Sequence, residues 1–451
     1  MRSTACELAL ATPATRDRYV DLLRVASLGT VVLGHWLMAA VGSDGIGNLL
    51  AILPGLQVLT WGLQVMPVFF FVGGFSHALS YRSLARRSDR PVYAAFLRAR
   101  LRRLLRPTLV FVLVWAVAAL AVQIAGRGEG GLSGAALRLV TQPLWFIGIY
   151  LAMVALTPPL LRLHERWGWA AFAGLASAAA AVDLLRFAFG VPYVEFLNFA
   201  FVWLAVHQLG FLRADGRLRR PAAAAAAAAA GLAGAVLLVA YGPYPLSMVG
   251  MPGEKVSNMA PPTLALLAHG LWLVGAVQLP ARPATAWLAR PRVWRGVVAA
   301  NGIAMTAFLW HLTAMLGVYG AQLALGVPLP EPATGAWWAQ VPVRILLAAA
   351  LTGVLVALFR RFEAPGPAPT AAPGSAPTAA PGSGPRAALG TTLCLLGILG
   401  LSMTGLGGLL EGHSATLIAL PVTAPAAIGM ALGGWLLVER SAPARRVRLR
   451  G

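Results

Sequence analysis

The sequence predicts an all-α protein: a polytopic transmembrane helical bundle with a ten-helix body and a C-terminal two-helix hairpin. Hydrophobic residues fill 58% of the 451 positions, charged residues fill 11%, and the mean hydropathy is +0.73. Soluble globular chains are near half apolar and a quarter charged. Apolar windows of about 20 residues, the length that a helix needs to cross a bilayer, recur along the chain. Basic residues cluster between these windows, as in the short loops of membrane proteins.

Twelve windows qualify as membrane spans. They cover approximately residues 22–41, 61–81, 104–125, 143–161, 168–187, 195–212, 222–241, 262–279, 298–321, 337–359, 388–410 and 416–438. With the N-terminus inside, the cytoplasmic segments hold 31 of the 36 basic residues. The other five are Arg127, Arg138, Arg186, Lys255 and, inside the tenth span, Arg344. The positive-inside rule therefore predicts cytoplasmic termini, because one missed or extra helix would reverse the pattern downstream.

The composition changes abruptly after the tenth span. Residues 366–387 are rich in Pro, Ala and Gly, and APTAAPGS occurs there twice in tandem. Such a segment buries no core, so we predict a disordered cytoplasmic linker. The predicted organisation is a cytoplasmic N-terminal segment 1–18, a ten-span body 19–365, the linker 366–387, a two-span hairpin 388–438 and a basic cytoplasmic tail 439–451.

Composition and motifs exclude several classes of function. The net charge of +21 would suggest nucleic-acid binding in a soluble protein, but here the arginines flank membrane spans and no long soluble segment carries a recognition fold. The chain contains no HExxH, no P-loop and no glycine-rich dinucleotide fingerprint. Its two cysteines, Cys6 and Cys394, are far apart and form no metal-ligand spacing. We therefore expect the lipid bilayer as a partner, no metal and no nucleic acid.

The first span carries two ionisable residues, Arg24 at its start and His35 deep inside. Eleven residues apart, they lie within about 20° of one helix face and roughly 16 Å apart along the axis. Asp21 precedes Arg24 by one turn and is placed to pair with it. Because an ionisable group in the membrane is costly to desolvate, this pattern favours a site facing the protein interior or a wet cavity. The alternative is structural, with Arg24 as a topology anchor and His35 as an interhelical hydrogen-bonding residue.

A second buried histidine, His311, lies on the ninth span, which runs in the same direction as the first. Both histidines are about two-thirds of the way from the cytoplasmic ends of their predicted spans, so the two imidazoles are expected to share one cavity. Imidazole titrates near neutral pH and can take the proton of a hydroxyl group that attacks a thioester. For His311 a packing hydrogen bond is the open alternative.

A basic stripe marks the cytoplasmic start of the third span. Arg98, Arg102 and Arg106 have i, i+4, i+8 spacing, so they share one helix face in YAAFLRARLRRLLRP. Such a stripe suits multidentate recognition of phosphate, as in a nucleotide-bearing acyl donor. The alternative is a topology determinant that contacts anionic lipid.

Other polar residues form an outer group and a set of peripheral histidines. Arg344 lies about two turns inside the tenth span and needs a carboxylate or a ligand as its partner. Pairing with Asp183 or Glu195 would make it structural, whereas a place in an acceptor pocket would make it functional. The rest of the outer group is Asp183, Arg186, Glu195 and Asn198. The histidines expected to be solvated or interfacial are His77 and His207 at helix ends and His164 and His413 in short loops.

Several motifs together resemble the acyltransferase family 3 membrane proteins. The segment RDRYVDLLRVASLGTVVLGH looks like the family's opening helix, whose Arg and His match Arg24 and His35. The other similar motifs are Gly74 and Phe75 in MPVFFFVGGFSHALSYR, Leu144, Trp145 and Phe146 in QPLWFIGIYL, Leu309, Trp310 and His311 in NGIAMTAFLWHLTAM, and Glu363 and Pro365 in RRFEAP. The resemblance covers residues 16–365, the same ten-span body.

The resemblance implies transfer of an acyl group from cytoplasmic acyl-CoA, with acetyl-CoA as the expected donor, to a hydroxyl of a glycan, glycolipid or natural product. It makes His35 the general base or transient acyl carrier, with His311 positioning it. Arg24, at the mouth of the site, is expected to act in catalysis with the two histidines. The residues expected to bind the donor are Asp21, also at the mouth, and Arg98, Arg102, Arg106 and Trp145. Two features depart from the family pattern: no periplasmic esterase-like domain is appended, and two further spans follow the linker.

Two other classes of function compete with the enzyme. A secondary transporter or exporter also needs many spans and intramembrane charge, but it predicts related halves, and the sequence shows no convincing repeat. A scaffold without chemistry leaves the matching phase of Arg24 and His35 unexplained. Heavy use of Ala, and of Arg over Lys, is typical of a GC-rich bacterial genome, so the expected location is the bacterial plasma membrane.

Overall fold

The structure, a computed structural model, describes residues 5–10, 12–13, 16–42, 45–88, 91–126, 131–251, 253–363, 383–410, 412–417 and 420–441. Within these ranges the chain is helical almost throughout, and the named strands form two short antiparallel hairpins. The predicted all-α membrane bundle is therefore confirmed. Most of the predicted linker 366–387 and most of the tail 439–451 lie outside the described residues.

The helices are α1 (Ala5–Leu10), α2 (Arg18–Met38), α3 (Leu49–Ile52), α4 (Thr60–Leu63), α5 (Met66–Ala85), α6 (Tyr93–Ile124), α7 (Gly131–Leu139), α8 (Leu144–Trp167), α9 (Trp169–Phe187), α10 (Asn198–Ala214), α11 (Pro221–Tyr241), α12 (Leu264–Gln278), α13 (Ala281–Leu288), α14 (Pro291–Asn301), α15 (Ala304–Ala324), α16 (Gly335–Phe359), α17 (Gly384–Thr404) and α18 (Ala424–Arg440). The strands are β1 (Ala39–Gly42) paired with β2 (Gly45–Asn48), and β3 (Ser414–Leu417) paired with β4 (Leu420–Thr423). Short 3₁₀ helices cover Pro54–Leu59, Val194–Leu197, Arg217–Arg219 and Arg360–Phe362.

Ten helical segments among the described residues are long and apolar enough to cross a membrane. The pair α12 and α13, bent by 53°, makes an eleventh if it counts as one span. With that pair the body has its ten predicted spans, and α17 follows them. The last predicted span, 416–438, holds the 17-residue α18, which is at the short limit for crossing a bilayer. This helix begins only at Ala424, because the preceding residues form the β3–β4 hairpin and the Thr423 side chain caps the helix by accepting from the Ala426 amide.

The predicted ninth span is not one continuous helix. It breaks after Asn301, so α14 and α15 are separate and His311 lies only two turns into α15. The prediction that His35 and His311 lie at the same fraction of the length of their helices was therefore wrong. The two histidines nevertheless meet, because α2 and α15 run in the same direction. Near the start of α2, Asn301 at the end of α14 donates to the Asp21 carbonyl. Just beyond the end of α2, Tyr319 on α15 donates to the Ala39 carbonyl.

The chain divides into two compact units. Unit 1 comprises Met1–Ala78 and Pro159–Ala357, and unit 2 comprises Leu79–Pro158 and Leu358–Gly451. In unit 1, α2 packs against α13, α14 and α15, and α11 packs along α12. In unit 2, α17 and α18 pack on each other and on α6. Glycines permit the α17–α18 approach, since a Cβ on Gly397 would lie 2.5 Å from the Ala427 carbonyl oxygen.

Candidate active site

Helix α2 carries three of the predicted site residues, Asp21, Arg24 and His35. Asp17 caps it by accepting a hydrogen bond from the Val20 amide at 3.3 Å, and the helix ends at Met38 where β1 begins. Asp17 also pairs with Arg213 of α10 at 2.8 Å and with Arg219 at 3.0 Å. These charge-assisted hydrogen bonds anchor the start of α2 to α10 and to the 3₁₀ helix Arg217–Arg219.

The structure brings together His35 and His311. Nδ1 of His35 lies 2.7 Å from Nε2 of His311, and the two rings are nearly parallel, at 20°, with centroids 5.0 Å apart. His311 is fully buried, whereas His35 is partly exposed. The indole of Trp36 donates to the His311 carbonyl at 3.0 Å, which ties the two helices at the same level.

The hydrogen bonds of this pair determine which nitrogen is basic. Nδ1 of His311 lies 2.5 Å from the carbonyl oxygen of Phe308, and a carbonyl only accepts, so this nitrogen carries a proton. Nε2 of neutral His311 therefore has the lone pair and accepts from the protonated Nδ1 of His35. Neutral His35 then has its own lone pair on Nε2, which contacts no hydrogen-bonding group in the described part of the chain. The pair thus presents one basic nitrogen with a fixed orientation.

The predicted pair of Asp21 and Arg24 does not form. Asp21 is buried and accepts from Arg16, whose Nε lies 2.6 Å from Oδ2, because the chain before α2 brings Arg16 back over the first turn. Arg24 instead donates from Nη2 to the hydroxyl of Ser76 on α5 at 3.0 Å. Among the described residues Arg24 has no carboxylate partner, so its other donors remain available to an anion.

Asp183 of the outer group does not bind Arg344. It accepts from the Asn198 side chain at 2.8 Å, the Tyr244 hydroxyl at 3.0 Å and the Leu264 amide at 2.7 Å, the last at the start of α12. Burial, and then the neighbouring Asp183 carboxylate, raise the pKa of Tyr244 above its usual range. Asp183 therefore has a structural role, holding α9, α10 and α12 together.

Arg344 is buried, with 7% of its surface exposed, and contacts neutral groups of α15 and α16. It donates to the Tyr319 hydroxyl at 2.9 Å and to Oε1 of Gln340 at 3.0 Å, and its guanidinium lies over the Tyr319 and Trp337 rings. Within the described ranges it has no carboxylate partner. The structural alternative for Arg344, an ion pair with Asp183 or Glu195, is therefore excluded.

The predicted donor-binding residues Arg98, Arg102, Arg106 and Trp145 belong to unit 2. Arg98 and Arg102 lie 3.1 and 3.2 Å from the carboxylate of Glu439 on α18, while Arg106 is exposed. Trp145, partly exposed near the start of α8, packs edge to face on Phe146. The three arginines lie on one helix, as predicted. Arg98 and Arg102 have an acidic neighbour, Glu439, that hydropathy gave no reason to expect. Its role in donor binding stays a prediction.

The expectation that His77, His207 and His164 are solvated was wrong. His77 and His207 are both 0% exposed, with Nδ1 of His77 3.0 Å from Nε2 of His207. They are buried because α5 and α10 touch through Gly74 and Gly210. His164 is 1% exposed and lies 2.8 Å from Asp215, since α8 continues through it to Trp167.

The last peripheral histidine, His413, is exposed, as predicted. Sequence reasoning missed the contacts of Ser76 and Trp36, and the buried His269, whose Nε2 lies 2.7 Å from the Trp61 carbonyl oxygen. For Ser76 a signal existed, because it is a hydroxyl residue next to His77 inside a strongly apolar stretch.

A family model described as an acyltransferase domain, Acyl_transf_3, matches residues 17–361 of the chain. The match begins at the Asp17 cap of α2 and ends in the 3₁₀ helix Arg360–Phe362, so it includes His35, His311 and Arg344. The chain matches no curated protein and no solved structure.

Proposed function

Because the chain belongs to acyltransferase family 3, we propose that it is a membrane O-acyltransferase that moves an acyl group from acyl-CoA to an acceptor hydroxyl. The observation that carries this proposal is the hydrogen-bond chain from Phe308 through His311 to His35. It supports a neutral His35 whose Nε2 is free to remove a proton. General-base catalysis of this kind contributes about 10²- to 10⁴-fold in rate.

The reaction assigned to His35 is direct transfer. The acceptor hydroxyl oxygen attacks the thioester carbonyl carbon, and Nε2 of His35 takes the hydroxyl proton as the C–O bond forms. The tetrahedral intermediate then collapses, the C–S bond breaks, and the imidazolium returns the proton to the leaving thiolate of CoA. Ester and free thiol are the products, and His35 is restored to its neutral form.

His311 is a positioning residue in this scheme. By accepting from Nδ1–H of His35 it keeps the lone pair on Nε2, and it stabilises the imidazolium that forms during transfer. Its own orientation is fixed by the Phe308 carbonyl and by the Trp36 indole on its backbone. A neutral imidazole is a weaker partner than a carboxylate, so the effect of losing it should be smaller than in a Ser-His-Asp triad.

Arg24 is assigned to the donor. Within the described part of the chain its guanidinium has one hydrogen-bond partner, the neutral Ser76 hydroxyl, and it lies on the side of His35 nearer the start of α2. A planar guanidinium with spare donors suits a phosphate of acyl-CoA. We extend the same assignment to Arg98, Arg102, Arg106 and Trp145, with acetyl-CoA as the donor and a glycan, glycolipid or natural product as the acceptor. A bacterial plasma membrane is the proposed location.

The test is acyl transfer by purified full-length protein in proteoliposomes. Labelled acetyl-CoA is supplied with glycans and glycolipids extracted from the source membrane, and ester formation and CoA release are both measured. We expect ester formation that the His35→Ala variant loses, while a His207→Gln variant, altered at the buried pair of His77 and His207, retains it. Full transfer by His35→Ala, or solute flux without any consumption of acyl-CoA, would contradict the proposal.

A further inference from the structure

Arg344 lines a small recess between α2, α15 and α16 in unit 1, called here the Arg344 recess. Its walls include Trp36, Tyr319, Trp337 and Arg344, with Met315 and Val318. The free volume is about 10 Å³, room for one water-sized atom. None of the lining residues is acidic, so the only formal charge in the walls is the Arg344 guanidinium.

Two buried hydrogen-bond donors in these walls have no partner within the described residues. They are Nε of Arg344 and Nε1 of Trp337. A buried donor without an acceptor costs about 1–3 kcal/mol, and more when it belongs to a charged group. Because both donors belong to residues that line one recess, and one of them is on a cation, they favour an acceptor group bound there. A water molecule would satisfy hydrogen bonds and leave the buried charge uncompensated.

The aromatic contacts of the guanidinium do not replace an anion. Arg344 lies 5.3 Å from the Tyr319 ring centroid and 5.4 Å from that of Trp337, and each cation–π contact is worth about 0.5–2 kcal/mol. An unpaired charge inside a membrane span costs at least as much as both contacts return. The two rings also narrow the recess, which favours a flat carboxylate entering by one oxygen over a bulkier phosphate.

The recess adjoins the histidine pair. Trp36, one of its walls, directly follows His35 and donates to the His311 carbonyl. Along α15, the wall residues Met315 and Tyr319 lie four and eight residues beyond His311, which corresponds to roughly 6–12 Å of helix rise. Arg24 precedes His35 on α2, so the two guanidiniums lie on opposite sides of the base. One is thus placed for the donor and the other for the acceptor.

We propose that the Arg344 recess binds a carboxylate of the acyl acceptor, so that the acceptor is a hydroxyl compound bearing an acidic group, such as a uronic acid or a hydroxy acid. This inference rests on the proposed acyl transfer. Arg344 and the indole of Trp337 hold the carboxylate, and the hydroxyl that is acylated lies on another part of the acceptor, at Nε2 of His35.

The test compares two probes that differ only at one carbon, methyl β-D-glucuronoside and methyl β-D-glucoside, with lactate as a second carboxylate. Binding to the purified full-length protein in maltoside detergent is measured by calorimetry without acyl-CoA. The wild type should bind the glucuronoside about tenfold more tightly than the glucoside, as one charge-assisted pair implies. Arg344→Gln should abolish that preference, and Arg292→Gln, which removes an exposed arginine, should leave it unchanged.

A second variant keeps the test valid if Arg344→Gln does not fold. Trp337→Phe retains the ring and removes only the unpaired donor, so it should weaken the glucuronoside several-fold and leave the glucoside unaffected. The inference is overturned if neither the glucuronoside nor lactate binds in an Arg344-dependent way. It is also overturned if inorganic phosphate or chloride alone shows that dependence.

Failure of this inference is distinguishable from failure of the proposed function. Carboxylate binding that depends on Arg344, in a protein that transfers no acyl group, would keep the recess as an anion site and refute acyl transfer. Acyl transfer to neutral glycosides that Arg344→Gln leaves unchanged would keep the enzyme and refute the acceptor site.

Discussion

Unit 1 contains two histidine pairs with similar spacing and different surroundings. His35 and His311 lie 2.7 Å apart, and His77 and His207 lie 3.0 Å apart. His77 and His207 form a sealed pair, since both residues are 0% exposed. His35 and His311 form an open pair, since His35 is partly exposed. The first pair also has a defined proton order, because the Phe308 carbonyl fixes the tautomer of His311. A histidine pair therefore indicates chemistry only when a basic nitrogen is both oriented and reachable.

The largest expected effect separates the two pairs by activity. His35→Ala removes the basic nitrogen, so the acyl-transfer rate should fall about 10²- to 10⁴-fold. His207→Gln retains polar atoms in the sealed pair, and its rate per folded molecule should stay within about twofold of the wild type. Both rates are measured on detergent-purified protein with labelled acetyl-CoA. Equal losses in the two variants would remove the distinction between the pairs.

The sealed pair should be sensitive to packing instead. A Cβ on Gly74 would lie 1.9 Å from the His207 carbonyl oxygen, so Gly74→Ala must separate α5 from α10. We expect a loss of stability of about 1–3 kcal/mol or more, the usual cost of overpacking, seen as a lower thermal midpoint. Gly29→Ala is the matched control, since no atom lies within 4 Å of the added Cβ. A Gly74→Ala variant as stable as Gly29→Ala would contradict the close approach.

The sequence predicts best those features of the site that depend on local geometry along a helix. The meeting of His35 with His311 was predicted from helix direction and depth, and only the direction was right. The shared helix face of Arg24 and His35 follows from the helix period and stays a prediction. The pairing of Asp21 was predicted wrongly, because Arg16, in the chain before the helix, competes with the i+3 neighbour. The burial of His77 depends on a close helix–helix approach and cannot be read from hydropathy.

The same distinction between local pattern and long-range contact applies to the chain as a whole. Apolar length alone predicted the ten-span body. The partners of Arg344 and of Arg98 come from helices that meet only in the folded chain, so the sequence left the alternatives for Arg344 open and gave no indication of Glu439.

An intermediate effect tests which ring nitrogens carry protons in the open pair, His35 and His311. His311→Leu keeps the approximate volume of the side chain and removes the acceptor that faces Nδ1 of His35, so kcat should fall about 10- to 50-fold, less than for the loss of the base itself. KM for acetyl-CoA should change little. A merely structural role would lower the amount of folded enzyme, whereas a positioning role also moves the pH dependence of kcat. An unchanged pH profile would contradict the assigned role of His311.

The smallest expected effect concerns Arg24, the charged residue on the same helix as His35. Arg24→Gln removes the guanidinium, together with its hydrogen bond to Ser76, and leaves a neutral polar side chain, so KM for acetyl-CoA should rise about tenfold, as expected for one charge-assisted phosphate contact. Arg18→Gln, on the first turn of the same helix, serves as the matched control and should leave KM unchanged. Arg18 donates to the Leu288 carbonyl and lies over the Trp294 ring, so its partners are structural. A KM that responds equally to both changes would indicate a general effect of charge.

The tautomer of His35 is the most direct test of the open pair. Nitrogen-15 NMR of histidine-labelled protein in lipid bilayers, with His35 assigned by comparison with His35→Gln, reports which ring nitrogen carries the proton. The account predicts, near neutral pH, a protonated Nδ1 and a bare Nε2 on His35. A bare Nδ1 with a protonated Nε2 would place the lone pair on the nitrogen that faces His311 and would contradict His35 as the general base.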